Sequence, residues 1–211
     1  MLPLVKRSQV GWIIVLLASL SGCQTIAPVN ESKETVNREK PSVLHAKHMA
    51  AIEKIQEFSI KGRIAVTSNQ KNASARLAWD HAANKDNVDI YSPLGGKVAN
   101  IVKTPEQVTF TDNKQTLTAT DTEALTQDNL GFSLPLSGLS YWALGKPSNR
   151  SIANAMTWDI EGKTKTLVQD GWNIEYNDYL THDGYSLPKK VLLTNNRVTI
   201  KLIVDNWEKI R

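Results

Sequence analysis

Phe58-Ser59-Ile60-Lys61-Gly62-Arg63-Ile64-Ala65-Val66-Thr67 is the stretch on which the fold turns. Phe58, Ile60, Ile64 and Val66 alternate with Ser59, Lys61, Arg63 and Thr67, so one face of the strand is apolar and the other polar. An Asn69-Gln70-Lys71-Asn72 turn follows. Ala73, Ala75, Leu77 and Trp79 then alternate with Ser74, Arg76 and Asp80. Two such runs joined by a short polar turn predict an antiparallel hairpin with a single buried face.

Downstream the same period recurs. Val88 and Ile90 carry it after a turn at residues 84–87, then Val108 and Phe110, Trp158 and Ile160, and Trp172, Ile174 and Tyr176. Val198, Ile200, Leu202 and Val204 against Thr199, Lys201 and Asp205 make the last strand. Roughly ten strands with short turns predict a mainly β chain with some helix (α+β), built on one curved antiparallel sheet or a barrel. Helical signals stand at the start and in the middle. Ser42 is a candidate N-cap for a helix to about Glu57, with Leu44, Ala51, Ile52 and Ile55 on one face. Thr120-x-x-Glu123 reads as a capping box opening a helix that Gly131 ends. Beyond Leu134-Pro135, Leu136, Leu139, Trp142 and Ala143 share the face of a second short helix, stopped by Gly145 and Pro147. These helices suit a lid over the concave face of an incomplete barrel. Alternation is the same whether the interior is packed or open, so it leaves that choice undecided.

The amino terminus has a different character. Lys6 and Arg7 precede an apolar run over residues 10–20, which ends in Leu20-Ser21-Gly22-Cys23. This is the layout of a secretory signal peptide over residues 1–22, too short to span a bilayer comfortably. Leu20, Ser21 and Gly22 before Cys23 resemble a bacterial lipobox, which implies cleavage before Cys23 and acylation of that residue. An ordinary secretion signal or an uncleaved anchor is the other reading. Residues 24–42 are polar and charged in both signs. They bury too little to offset the entropy of ordering, so residues 23–42 are expected to form an acylated, flexible tether. As a coil it would span about 24 Å, and roughly 65 Å fully extended. Residues 43–211 are then one domain.

Composition narrows the function. Removing residues 1–22 from the 211 leaves 189, enough for one sizeable core. The net charge of +4 includes Lys6 and Arg7, so the mature chain is near +2 and no nucleic-acid partner is expected. Cys23 is the one cysteine; once acylated it leaves no thiol for a disulfide. No Gly-x-Ser-x-Gly, Gly-x-Gly-x-x-Gly or His-Glu-x-x-His occurs, and no enzyme activity, cofactor or metal is expected. His45 and His48 have no cysteine or clear carboxylate partner and read as packing histidines. His81 and His182 lie beside Asp80 and Asp183, a pairing that local hydrogen bonding explains.

One loop departs from the pattern. Ser92-Pro93-Leu94-Gly95-Gly96 puts an aliphatic side chain where polar turn residues are the rule. Leu94 either folds back onto the core or projects to enter a membrane or partner. Burying one leucine stabilises by roughly 1.5–3 kcal/mol, enough for reversible insertion and too little for anchoring.

These residues together resemble the LolB family. Tyr91-Ser92-Pro93-Leu94-Gly95 is similar to its Pro-Leu-Gly loop, and Pro135-Leu136, Leu139, Trp142, Leu144-Gly145 and Pro147 to its central helix. Trp172 through Tyr176, Leu187-Pro188, Ile200-Lys201-Leu202 and Asp205-Asn206-Trp207 match its last strands. Lys61-Gly62-Arg63 departs from the family's first strand, so no role is carried onto those basic residues. The resemblance implies an incomplete antiparallel β-barrel with a lid of short helices over a hydrophobic cavity. That cavity would receive the acyl chains of lipoproteins from the periplasmic carrier LolA. Leu94, with Pro93 and Gly95, would form the loop that delivers cargo into outer-membrane phospholipid. Gln24 after Cys23 implies outer-membrane residence on the periplasmic face of a Gram-negative cell, and the chain would act as a monomer. Candidate lining residues are Ile64, Val66, Leu77, Trp79, Ile90, Leu139, Trp142, Trp158, Ile174 and Tyr176. The competing reading is a structural or assembly lipoprotein that binds protein partners only, which predicts a filled barrel.

Overall fold

The alternating stretches form one antiparallel sheet, seen here in a computed structural model that describes residues 39–68 and 72–211. The signal segment, the Leu20-Ser21-Gly22-Cys23 motif, nearly all of the tether and most of the 69–72 turn lie outside the described residues. In chain order the elements are α1 (Pro41–Ile52), β1 (Phe58–Ser68), β2 (Asn72–Ala82), β3 (Lys85–Tyr91), β4 (Lys97–Lys103), β5 (Val108–Asp112) and β6 (Thr116–Ala119). There follow α2 (Thr122–Leu130), α3 (Leu136–Trp142), β7 (Ala155–Trp158), β8 (Thr164–Gln169), β9 (Trp172–His182), β10 (Tyr185–Thr194) and β11 (Val198–Ile210).

The strand order is β6-β5-β4-β3-β2-β1-β11-β10-β9-β8-β7. Two meanders, β1 to β6 and β7 to β11, are thus joined through the first and last strands. β1 pairs with β11 from Phe58 opposite Ile210 to Ser68 opposite Val198. The sheet stays open between β6 and β7, and the chain between those two edges is the segment that carries α2 and α3. The helices and their flanking residues pack on the sheet's inner face, and Leu125, Phe132, Leu134, Leu136, Leu139 and Trp142 join one continuous core with the strands. The sheet is the incomplete barrel of the sequence reading, with eleven strands among the described residues.

Gly62 shows how the sheet bends. It falls in the inward phase of β1, at a register shift against β11, where a Cβ would lie 2.3 Å from the Ile203 carbonyl oxygen. Only glycine allows that approach, and such a bulge sharpens the local bend and twist.

Helix boundaries differ from expectation in two places. α1 opens at Pro41, with Lys40 as an N-cap that offers no side-chain bond, so Ser42 is not the cap. Proline's fixed φ favours the first helical position. α1 ends at Ile52 because the following chain pairs with the C-terminus: Gln56 and Glu57 N–H donate to the Arg211 carbonyl at 2.6 and 2.9 Å. In α2 the cap is Asp121, not Thr120. Its carboxylate accepts from the Glu123 and Ala124 amides at 2.8 and 3.0 Å, and a negative group also suits the positive end of the helix. Gly131 ends α2 at φ 80°, in the left-handed region.

Candidate functional site

The interior of the half-barrel is filled unevenly. On the β8–β11 side, Leu167, Ile174, Leu187, Val191, Leu193 and Val204 are almost fully buried. Trp142 of α3 is also buried there, its indole N–H donating to Gln169 Oε1 at 2.9 Å. On the β1–β4 side the inward phase of β2 carries small residues. Ala73 lies opposite Val66 and Ala75 opposite Ile64. Where Leu77 and Trp79 continue that phase, the interior is filled again.

An apolar cavity of about 190 Å³ occupies the space that the alanines leave. Its wall is Ile64 and Val66 of β1, Ala73, Ala75, Leu77 and Trp79 of β2, Val88 and Ile90 of β3, Val98 of β4, and Leu202 of β11. Leu130, Phe132, Leu134, Leu136 and Leu139 cover it from the helical segment, and Ser74 is the one polar member. None of these side chains ionises, so the cavity can act only through apolar contact. Among the described residues no group of three His, Cys, Asp or Glu side chains could hold a metal, and no helix is long and apolar enough to cross a membrane.

Six of the ten candidate lining residues stand in this wall: Ile64, Val66, Leu77, Trp79, Ile90 and Leu139. The other four lie elsewhere. Trp142 and Ile174 belong to the filled side as ordinary core, and Tyr176 lines a separate cleft together with Trp158. Trp158 is on the edge strand β7, 39% exposed, with its ring stacked on His45 at 4.3 Å between centroids. Ile160 follows it in an exposed turn and does not extend the strand. A period of two fixes which face a residue shares, and on a partly filled sheet that face includes both cavity and core. The missed lining residues are chiefly Ala73 and Ala75, whose signal was small size in an inward phase, and Leu130 at the end of α2 with Phe132 and Leu134 between the two short helices.

Leu94 is 99% exposed at the tip of the β3–β4 loop. The loop itself is held, since the Gly95 amide donates to the Ser92 carbonyl at 2.9 Å and the Ser92 amide to the Gly96 carbonyl at 2.8 Å. Gly95 has φ 106°, a conformation that favours glycine. The stems are pinned as well. Lys97 Nζ lies 2.7 Å from Asp89 Oδ1, and Asn100 donates to the same oxygen at 2.7 Å. Partial burial works against the Asp89 carboxylate, but those donors outweigh it and lower its pKa. Val98, in the cavity wall and 42% exposed, sits four residues beyond Leu94. A hydrogen-bonded loop therefore presents one aliphatic side chain to solvent, four residues from Val98 of the cavity wall.

Three of the four histidines have polar partners. His45 Nδ1 donates to the Gly162 carbonyl at 2.8 Å, and His81 pairs with Asp86 at 2.7 Å rather than with Asp80, which accepts from Ser59. His182 Nε2 lies 3.4 Å from Asp183. His48 is partly buried with Nε2 unpartnered, and burial, then His45 and Lys163, lower its pKa. Tyr176 likewise has a buried hydroxyl without a partner, and burial pushes its pKa well up.

This fold has a counterpart among solved structures. A crystal structure of a LolA superfamily protein from Nitrosomonas europaea matches with a TM-score of 0.50 at 6% identity, covering 80% of this chain and 93% of that one. Within that architecture the sequence is more specific. The family described as outer membrane lipoprotein LolB matches residues 56–207, and the chain belongs to that family. The outer-membrane lipoprotein LolB of Thiobacillus denitrificans is 31% identical over 93% of this chain and 96% of its own length. That of Nitrosococcus oceani is 27% identical over 97% and 99%.

Proposed function

We propose that this chain is an outer-membrane lipoprotein that accepts lipoproteins from the periplasmic carrier LolA and inserts them into the inner leaflet of the outer membrane. Cys23, released by cleavage after Leu20-Ser21-Gly22, carries the acyl anchor on the periplasmic face, and the tether lets the domain turn between carrier and membrane. The cargo's acyl chains enter the cavity lined by Ile64, Val66, Leu77, Trp79, Ile90 and Leu139. The observation that carries this reading is the apolar cavity, whose wall includes Val98, next to a held loop that exposes Leu94.

Acyl chains are worth about 0.8 kcal/mol per buried methylene, so release into water is slow and transfer needs a continuous apolar path. Movement down a gradient of affinity, from carrier to receptor to bilayer, then needs no ATP. Size sets a condition on the receptor. A cavity of about 150 Å³ accommodates one benzene ring, so the 190 Å³ present here takes only part of one acyl chain. Accepting a cargo with several chains requires α2 and α3 to move away from the sheet. α2 is suited to that motion, because Thr122, Leu125 and Thr126 are its only buried residues.

The test uses residues 38–211, which form one compact unit, mixed with carrier loaded with a lipoprotein. Transfer of cargo to the domain is expected, and cargo remaining wholly on the carrier refutes the receptor reading. Leu94→Glu should leave uptake intact and slow delivery into liposomes by about tenfold or more, because a carboxylate resists entering hydrocarbon. Unchanged delivery would remove the membrane role from this loop.

A further inference from the structure

A second cleft, of about 470 Å³, lies at the other end of β2 from the Leu94 loop. Tyr91, at the base of that loop, pairs with Arg76, whereas His81 pairs with Asp86. Five residues of strand, about 17 Å, separate the two levels. The cleft is bounded by Glu53 and Gln56 after α1, by His81 and Ala83 at the end of β2, and by the chain from Ser140 to Asn149. Unlike the apolar cavity, it is lined by polar groups whose bonding is incomplete.

Lys146 is the first of these. Its side chain is 6% exposed, yet among the described residues its one carboxylate partner is Glu53 Oε2 at 3.4 Å, on a side chain that is itself 64% exposed. The Tyr141 ring lies 5.6 Å from Nζ and supplies a weaker cation–π contact. An ammonium has three donors, and burying it without close acceptors is costly. Ser148 is the second. The residue is 3% exposed and its Oγ has no hydrogen-bond partner. Its backbone is fixed on both sides by Gln169: the Ser148 amide donates to Oε1 at 2.8 Å, and Gln169 Nε2 donates to the Ser148 carbonyl at 2.9 Å. The hydroxyl is thus held in the cleft wall as an unused donor, two residues from a buried cation.

We propose that this cleft binds a monoanionic phosphodiester, with Lys146 Nζ and Ser148 Oγ as donors to its non-bridging oxygens. One ammonium balances one negative charge. A phosphate dianion would instead leave a charge uncompensated beside Glu53. Glu53 acts as the resting counter-ion, and its exposure lets it swing into solvent as the ligand enters. Lysine suits the role because it meets phosphate as a point charge from a long stem. The same chemistry is offered by a soluble glycerophosphodiester and by the headgroup of an intact phospholipid.

The experiment uses the mature, acylated chain in maltoside micelles, which contain no phosphate, titrated with dimethyl phosphate and followed by NMR. Saturable shifts of the Ser148 amide and the Lys146 side-chain ammonium are expected. Lys146→Gln should weaken binding at least tenfold and Ser148→Ala about threefold, while Leu94→Glu leaves it unchanged. No saturable shift, an equal response in Lys146→Gln, or tighter binding of inorganic phosphate than of the diester each overturns the proposal. If Lys146→Gln fails to fold, Ser148→Ala alone decides, since that change removes only an unbonded hydroxyl. Binding of residues 38–211, which carry no acyl anchor, to phosphatidylglycerol vesicles that falls with Lys146→Gln identifies the lipid headgroup as the source. Vesicle binding insensitive to that change, with the dimethyl phosphate site intact, identifies a soluble diester.

Discussion

The indole N–H of Trp142 donates to Gln169 Oε1 at 2.9 Å, joining α3 to the end of β8 in a region where both residues are buried. The same glutamine takes the Ser148 amide and gives its Nε2 protons to the Ser148 and Ser151 carbonyls, at 2.9 and 2.7 Å. One side chain therefore satisfies four groups from the helix and from the loop after it. This clamp ties α3 and the loop after it to β8, and the apolar cavity lies away from it, where β2 carries alanines.

Gln169→Leu keeps the volume and deletes every one of those bonds. Each buried polar group left without a partner costs about 1–3 kcal/mol, so a loss of roughly 3 kcal/mol or more is expected. Urea unfolding with an unchanged m-value checks this. A loss below about 1 kcal/mol would mean that water replaces the clamp.

Two glycines separate the effect of space from the effect of backbone conformation. At Gly62 a Cβ would meet the Ile203 carbonyl oxygen at 2.3 Å, and β1 must separate from β11 to admit it. At Gly171 nothing lies within 4 Å, but φ is +77°. Gly171→Ala should cost about 1–2 kcal/mol, the penalty of a left-handed L-residue. Gly62→Ala should cost more, because the bulge on which the central strands depend is lost. Equal thermal shifts for the two variants would contradict that ranking.

The strands were legible because the period of two is a local signal, and ten or so apolar–polar alternations leave few alternatives to a sheet. Less legible was which part of the sheet's inner face is filled. Ile174 carries the same strand pattern as Leu77 and Ile90, and only long-range packing makes the first core and the other two cavity wall. Leu94 was ambiguous for a related reason, since burial of a loop residue depends on contacts far away in sequence. Gln169 went unseen because a glutamine at a strand end is usually a surface residue, and nothing near it announces Trp142 or Ser148. Asp121 displaced Thr120 as the α2 cap by a one-residue shift that motif spacing does not resolve.

His48 makes stability depend on pH in a defined direction. Burial lowers its pKa below 6.5, with His45 and Lys163 adding to the effect and Asp159 opposing it. The unfolded chain therefore takes up a proton at a pH where the folded chain does not. The neutral form's contribution is complete above pH 6.5 and is lost as pH falls from there toward the lowered folded value. His48→Gln should flatten the stability profile between about pH 7 and 5 relative to the parent, a difference measurable by denaturant midpoints across that range. Parallel profiles would show that His48 protonates freely in the fold.

Cavity volume and stability should respond in opposite senses to two changes on one strand. Ala75→Phe places a ring in the space of about 190 Å³ opposite Ile64. Cavity filling commonly stabilises by about 0.5–2 kcal/mol, so this variant should unfold at equal or higher denaturant. It should also lose at least tenfold in affinity for a fluorescent fatty acid. Leu77→Ala enlarges the same cavity and removes a side chain that is 6% exposed. It should cost about 2–4 kcal/mol and leave fatty-acid binding intact or tighter. If both variants bound the probe as the parent does, the ligand would have to sit outside the β1–β4 side. If both lost binding along with stability, the cavity's shape rather than its volume would control entry. Only opposite signs in the two measurements place acyl chains against Ala75 and Leu77.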